Sequence, residues 1–233
     1  MQNNLFEKYQ VAVNEEQQAQ FEKYREMILE YNKIMDITNI TEYDQMYIKH
    51  FIDSIYVDKT SIDFNSKKII DIGTGGGFPG IPIKFIYTES KITLMDSLNK
   101  RIKFLQDVIE QMDLKDIEAL HARAEELARD NDYREKYDIA ISRAVAELRT
   151  LIEYSLGFVK VGGYFIAMKG PNFQEELDNA TNSIKEMGGK LEKTITYSLP
   201  DDNGERSLLL IKKVKPTPPK YPRGQGKPRS KPL

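Results

Sequence analysis

The chain has 233 residues, 40% hydrophobic and 30% charged, enough for one α/β-sized domain with modest additions. It holds no cysteine, which excludes disulfides, a thiolate zinc site and a cysteine nucleophile. The net charge is only −2, and no run approaches the ~18 apolar residues of a membrane span.

The first residues, Met1–Lys8, lack the form of a signal peptide, so a cytoplasmic protein is expected. Residues 1–60 read as a helical extension packed on the core. Asn14 can cap a helix whose apolar positions Phe21, Tyr24, Ile28 and Tyr31 recur at helical spacing. A second helix is predicted over Glu42–Asp58. His50 within it reads as a packed structural residue. His121 lies far from it, so no metal site is expected.

From residue 61 to 215 short apolar runs alternate with amphipathic segments. Strands are predicted over Lys67–Ile72, Ile92–Asp96, Ile117–His121, Tyr137–Ser142 and Tyr164–Met168, with Gly162-Gly163 as a turn before the fifth. A helix near Phe173–Met187 follows, then strands over Thr194–Ser198 and Ser207–Val214 joined at Asp202-Asn203-Gly204. The expected fold is α/β: a Rossmann-like, seven-stranded, mostly parallel sheet with an antiparallel last strand, plus N-terminal helices.

Asp71-Ile-Gly-Thr-Gly-Gly-Gly-Phe-Pro-Gly80 follows the first strand and contains five of the fourteen glycines. A loop there lies at the ligand-binding edge of a parallel sheet. A phosphate-binding Walker loop fails, because Ile81-Pro82 stand where Lys-Ser/Thr is required. A dinucleotide fingerprint fits Gly75, Gly77 and Gly80 with Asp96 for a ribose, although that register starts late after the strand. A third pattern, Asp71, Gly73, Gly75 and Gly77, resembles motif I of S-adenosylmethionine (SAM) methyltransferases. Its carboxylate can meet the ammonium group of that cofactor, directly or through water. Asp96, ending the second strand, can accept both ribose hydroxyls, and its plainer reading is a helix cap. Glu125, after the third strand, reads either as an adenine contact or as a helix-start glutamate. An NAD-dependent oxidoreductase and a non-catalytic nucleotide-binding module stay open as alternatives.

The fourth strand ends Ser142-Arg143-Ala144-Val145, without the Asn/Asp-Pro-Pro signature of amino methyltransferases. A nucleophile that carries its own lone pair and loses no proton needs no base, and this ending is consistent with such chemistry. Asp36, Asp53 and Glu147 are open candidates for stabilising the charge that develops, and no catalytic residue is assigned. Arg143 suits a cofactor contact, a guanine or phosphate contact, or a structural ion pair.

The tail, residues 216–233, holds six of the ten prolines. From Lys212 to the end there are eight basic residues and no acidic one, so residues 1–211 carry the other 26 basic against all 36 acidic residues. Such a segment is expected to be extended or disordered when free, either solvated or as an arm on RNA. Lys220, Arg223 and Lys227 are its candidate RNA contacts, with Arg101 and Arg123 on the body. An arm of that kind would leave cofactor binding independent of the tail.

Lys49–Ser54, Asp71–Gly80, Asp96–Arg101, His121–Glu125, Ser142–Val145 and the tail from Tyr221, taken in order, resemble the RsmG family (glucose-inhibited division protein B). Its members are bacterial methyltransferases acting on guanine N7 in 16S rRNA. The resemblance implies SAM as cofactor, with contacts at Gly73, Phe78, Ala124, Glu125 and Arg143. It implies 16S rRNA, the small ribosomal subunit or its precursor as partner; a monomer is expected. The chain departs from the family at Tyr31 and Asp36, where Trp and Asn are frequent, and at Gly224, where Lys is common.

Overall fold

The computed structural model describes residues 4–233, so residues 1–3 of the expected N-terminal extension lie outside it. The β-branched runs form seven strands: β1 (Lys68–Ile72), β2 (Lys91–Asp96), β3 (Ile117–His121), β4 (Tyr137–Arg143), β5 (Val159–Lys169), β6 (Gly189–Ser198) and β7 (Glu205–Lys213). They make one sheet in the order β3-β2-β1-β4-β5-β7-β6. Strands β1 to β5 pair in parallel, and β7 runs antiparallel to both neighbours. The central strands are buried on both faces, which explains their continuous apolar runs.

Strand order reverses between β1 and β4, so the chain leaves these two neighbours in opposite directions. That opens a crevice at their carboxyl ends. Ser142 Oγ donates to the Ile72 carbonyl at 2.9 Å and ties the two ends together beneath it.

One sheet face packs on the N-terminal helices α1 (Leu5–Lys8) and α2 (Glu15–Tyr31). The start of α2 is set by a reciprocal cap: Gln17 N–H donates to the Asn14 side chain at 2.8 Å, and Asn14 N–H donates to the Gln17 side chain at 2.9 Å. Phe21 and Tyr24 on its buried face pack among Phe51, Phe78 and Phe85. The expected continuous helix over 42–58 is instead α3 (Tyr43–Met46), a π-helical segment (Tyr47–Ile52), α4 (Asp53–Ile55) and a 3₁₀ turn (Tyr56–Thr60). The π segment lets Lys49 and His50 face the crevice while Phe51 and Ile52 stay in the core; periodicity alone does not reveal such a change of pitch.

The parallel crossovers carry α5 (Gly80–Ile86), α6 (Asn99–Gln111), α7 (Ala124–Leu127) and α8 (Leu148–Ser155); α9 (Phe173–Glu186) precedes β6. Gly162 and Gly163 lie inside β5 rather than before it, where the register against β4 shifts between Tyr137 and Ile139. Pro79 stands at the N-cap position of α5, directly before its first turn.

The tail differs most from expectation. It is packed, not extended, and ends in α10 (Lys227–Ser230) against α8. Tyr221 is 6% exposed among apolar side chains of the second sheet face. Arg134 donates to the carbonyls of Thr217 at 2.7 Å and Tyr221 at 2.8 Å. Arg223 donates to both carboxylate oxygens of Glu153, which has no exposed surface. Composition misread this segment because its anchors are partners on the body rather than apolar bulk of its own. Proline also lowers the entropy cost of ordering.

Arg223→Ala should therefore strand a buried carboxylate and destabilise the fold by about 3–5 kcal/mol. Denaturant unfolding checks this, and Glu153→Gln in the same chain should recover much of the loss.

Candidate cofactor and substrate site

Two cavities meet at Gly73 on the carboxyl edge of the sheet. The first, about 320 Å³, lies over β2 and β3 between Met95, Asp96, Ala124, Glu125 and Tyr154. The second, about 530 Å³, lies towards β4 and β5 between His50, Asp53, Phe78, Arg143 and Lys169. Both are in the size range of small-ligand sites.

The glycine loop shapes the wall between them. Asp71 is fully buried, and its Oδ2 accepts from Thr74 Oγ1 at 2.7 Å and from Gly80 N–H at 2.9 Å. It lines neither cavity: its Oδ2 clasps the loop, while its Oδ1 is buried without a partner among the described residues. Burial pushes its pKa up to about 6. Gly75 has φ +61°, and a Cβ there would meet nothing within 4 Å, so the backbone faces open space. Gly77, also at positive φ, lines neither cavity; its missing Cβ admits the Tyr24 hydroxyl, which donates to the Gly76 carbonyl. Gly73 and Phe78 do line the site.

Asp96 is buried at the end of β2. Its Oδ2 accepts from Gly75 N–H at 3.0 Å and Arg101 Nη1 at 3.3 Å, and its Oδ1 from Leu98 N–H at 2.9 Å. A carboxylate offers about four acceptor positions. One stays open for a hydroxyl, and a second opens when the weakly held Arg101 turns away. Glu125 is 4% exposed, lines the first cavity and makes no hydrogen bond or ion pair among the described residues. Its carboxylate borders the cavity, where a hydrogen-bond donor of a ligand can reach it.

The second cavity is cationic. Arg143 Nη1 binds Asp53 Oδ2 at 3.0 Å and the Lys49 carbonyl at 3.1 Å, and its guanidinium carbon lies 5.2 Å from the Phe78 ring centre. Ala144, next in the chain, takes φ +56°, a strained conformation for alanine. His50 stacks on Phe78 with ring centres 4.4 Å apart, and its Nε2 meets Thr38 Oγ1 at 2.7 Å. Burial, then the Arg143 charge, pushes its pKa down to about 3, so the imidazole is neutral at pH 7.

A model of the family "rRNA small subunit methyltransferase G" (GidB) matches residues 17–204. Curated proteins named ribosomal RNA small subunit methyltransferase G are 50% identical: one from Lachnoclostridium phytofermentans over 95% of this chain and 91% of its own length, one from Acetivibrio thermocellus over 96% and 91%. The chain belongs to this family. It is a SAM-dependent methyltransferase. Solved structures share the fold: a SAM-dependent methyltransferase from Aquifex aeolicus has TM-score 0.56 at 15% identity, covering 76% of this chain and 97% of that one. A mutant of MtNAS in complex with SAM has TM-score 0.58 at 14% identity, covering 85% and 73%.

The residues fit SAM. The first cavity joins apolar walls for a purine, Met95 and Ala124, to the carboxylates of Asp96 and Glu125 for hydroxyl and amino hydrogens. The Gly75 backbone leaves room for the amino-acid end. Of the expected RNA contacts, Arg101 lines the second cavity and Arg123 the first. Lys220 and Lys227 lie outside both cavities, and Arg223 is occupied by Glu153. Asp36 and Glu147 line neither cavity; Asp53 does. Sequence reasoning missed Lys169 and Arg206 in the second cavity. Sheet polarity was the available signal: β5 ends where antiparallel β7 begins, so both residues share one edge.

Asp96→Ala should weaken SAM binding at least tenfold, because hydrogen bonds to a charged group are worth roughly 1.5–3 kcal/mol. Calorimetry on the folded variant checks it. A second outcome concerns acid. The folded chain prefers neutral His50, whereas the unfolded chain titrates near 6.5. Its stabilising contribution is complete above about pH 6.5 and is lost as pH falls towards about 3, at up to about 1.4 kcal/mol per pH unit. Asp71 acts with the opposite sign, its raised pKa lowering stability as pH rises through about 6. The difference between wild type and His50→Gln in denaturant midpoints at several pH values isolates the histidine.

Proposed function

We propose that the chain methylates N7 of one guanine in small-subunit rRNA, acting in the cytoplasm on the subunit or its precursor. The observation that carries this reading is a cationic cavity beside the cofactor cavity that offers no free base. Asp53 is tied to Arg143 and Tyr197, and Glu176 to Lys169 and the Leu148 N–H. His50 is held neutral by burial and is a weak base. Such a pocket suits a nucleophile that brings its own lone pair and loses no proton.

When bound, SAM supplies an electrophilic methyl group on a sulfonium. Guanine N7 forms the new carbon–nitrogen bond as the carbon–sulfur bond breaks, giving a cationic base and S-adenosylhomocysteine. The work of this chain is positioning. Phe78, with His50 stacked on it and Arg143 beside it, offers an aromatic surface at the junction of the cavities. Lys49 and Arg206 form no ion pair among the described residues and are free to meet phosphates at the cavity mouth. Asp53, already compensated by Arg143, adds negative charge near the developing cation.

The purified protein should place one N7-methylguanine on small subunits from a strain with this gene disrupted, mapped by reductive chain cleavage. Single-turnover rates should stay level from about pH 6.5 to 9, because no base must be deprotonated. A rate rising steadily with pH, or a methyl found on an exocyclic amine, would instead favour proton-abstraction chemistry.

A further inference from the structure

The first cavity is not closed by the methyltransferase core alone. Its lining includes Gly226, Arg229 and Ser230 from the C-terminal tail, together with Asp96 and Glu125. Three anchors hold this stretch there. Arg223 is fixed by the buried Glu153 at 2.7 Å, and its Nη2 also donates to the Lys231 carbonyl at 2.9 Å, clasping α10 from both ends. Thr150 Oγ1 of α8 donates to the Pro228 carbonyl at 3.1 Å. Arg134 holds the Thr217 and Tyr221 carbonyls upstream. Arg229 itself forms no ion pair and no side-chain hydrogen bond among the described residues, although it borders a cavity containing the unpartnered Glu125. Arg123, Glu125, Tyr154 and Arg229 all line this one cavity.

We infer that the C-terminal tail is part of the cofactor-binding site, with Arg229 as its contact residue at the purine end of the first cavity. The tail's basic character then serves two different tasks. Arg223 spends its charge on a buried carboxylate and positions the segment. Arg229 keeps its charge and its planar guanidinium for the ligand, a group suited to lie against a purine ring or to accept the neighbourhood of a carboxylate. This reverses the expectation that tail and cofactor act independently. It also explains why a segment so rich in charge is packed against the body at all: its docking completes a cavity. The inference rests on SAM occupying the first cavity.

The experiment is titration calorimetry with S-adenosylhomocysteine and no RNA, on the full chain. Arg229→Ala should bind about three- to tenfold more weakly than wild type, with the ligand-free thermal midpoint unchanged because the side chain has no partner to lose. Asp96→Asn serves as the control for the cavity. If Asp96→Asn loses affinity while Arg229→Ala binds as tightly as wild type, the tail is not part of the site and serves RNA alone, and the inference fails. If Asp96→Asn also binds normally, the cavity assignment itself fails, and the inference with it.

Discussion

Asp71, next to the last residue of β1, has no exposed surface, and its Oδ2 accepts from Thr74 and from Gly80, nine positions further on. Because that carboxylate is buried, its hydrogen bonds are strong, and losing them would leave a polar group stranded. The bend they impose presents the Gly75 amide to Asp96 on the next strand. It also turns Phe78 towards His50 and Arg143. Both cavities border this loop, so the positions of cofactor and substrate depend on one internal clasp. The pKa of Asp71, raised to about 6 by burial, is the electrostatic cost of placing it there.

The N-terminal helices belong to this arrangement. Tyr24 of α2 reaches into the loop through the space left by Gly77. The π segment brings the carbonyls of Lys49 and His50 to Arg143. Arg143 thus joins the end of a core strand to the helical extension through Asp53, a buried ion pair whose partners are further satisfied by Tyr197 and backbone carbonyls. The substrate cavity lies between the extension and the core, and removing either would leave it without a wall.

The two ends of the site differ in electrostatic logic. Around the first cavity the carboxylates Asp96 and Glu125 have unsatisfied capacity and await donors. Around the second, the carboxylates are compensated and cations have the spare capacity, at Lys49 and Arg206. A neutral purine nucleoside with hydroxyl and amino donors suits the former, and a polyanion suits the latter. The acidic body thus carries a local cluster of cations, Lys49, Arg101, Arg143, Lys169 and Arg206, around one cavity.

Local pattern determined much of this protein. Alternating apolar runs and amphipathic stripes identified the strands and their polarity, since periodicity and turn chemistry are properties of neighbouring residues. The glycine loop was legible as a cluster of glycines directly after the first strand, and Gly75 takes φ +61°, a conformation that favours glycine. Asp96, Glu125 and Arg143 were found because strand ends are recognisable places in a parallel sheet. Long-range packing decided the rest. That Asp71 Oδ2 clasps the loop depends on Thr74 and Gly80 folding back over it. The pitch of the π segment follows from what Phe51 and Ile52 must bury while Lys49 and His50 face the crevice. The tail read as free chain because Glu153, its anchor, lies seventy residues away and has the same letter as any exposed glutamate. A sequence records each charge, but only the folded chain decides which charges are paired, and the unpaired ones are left to bind.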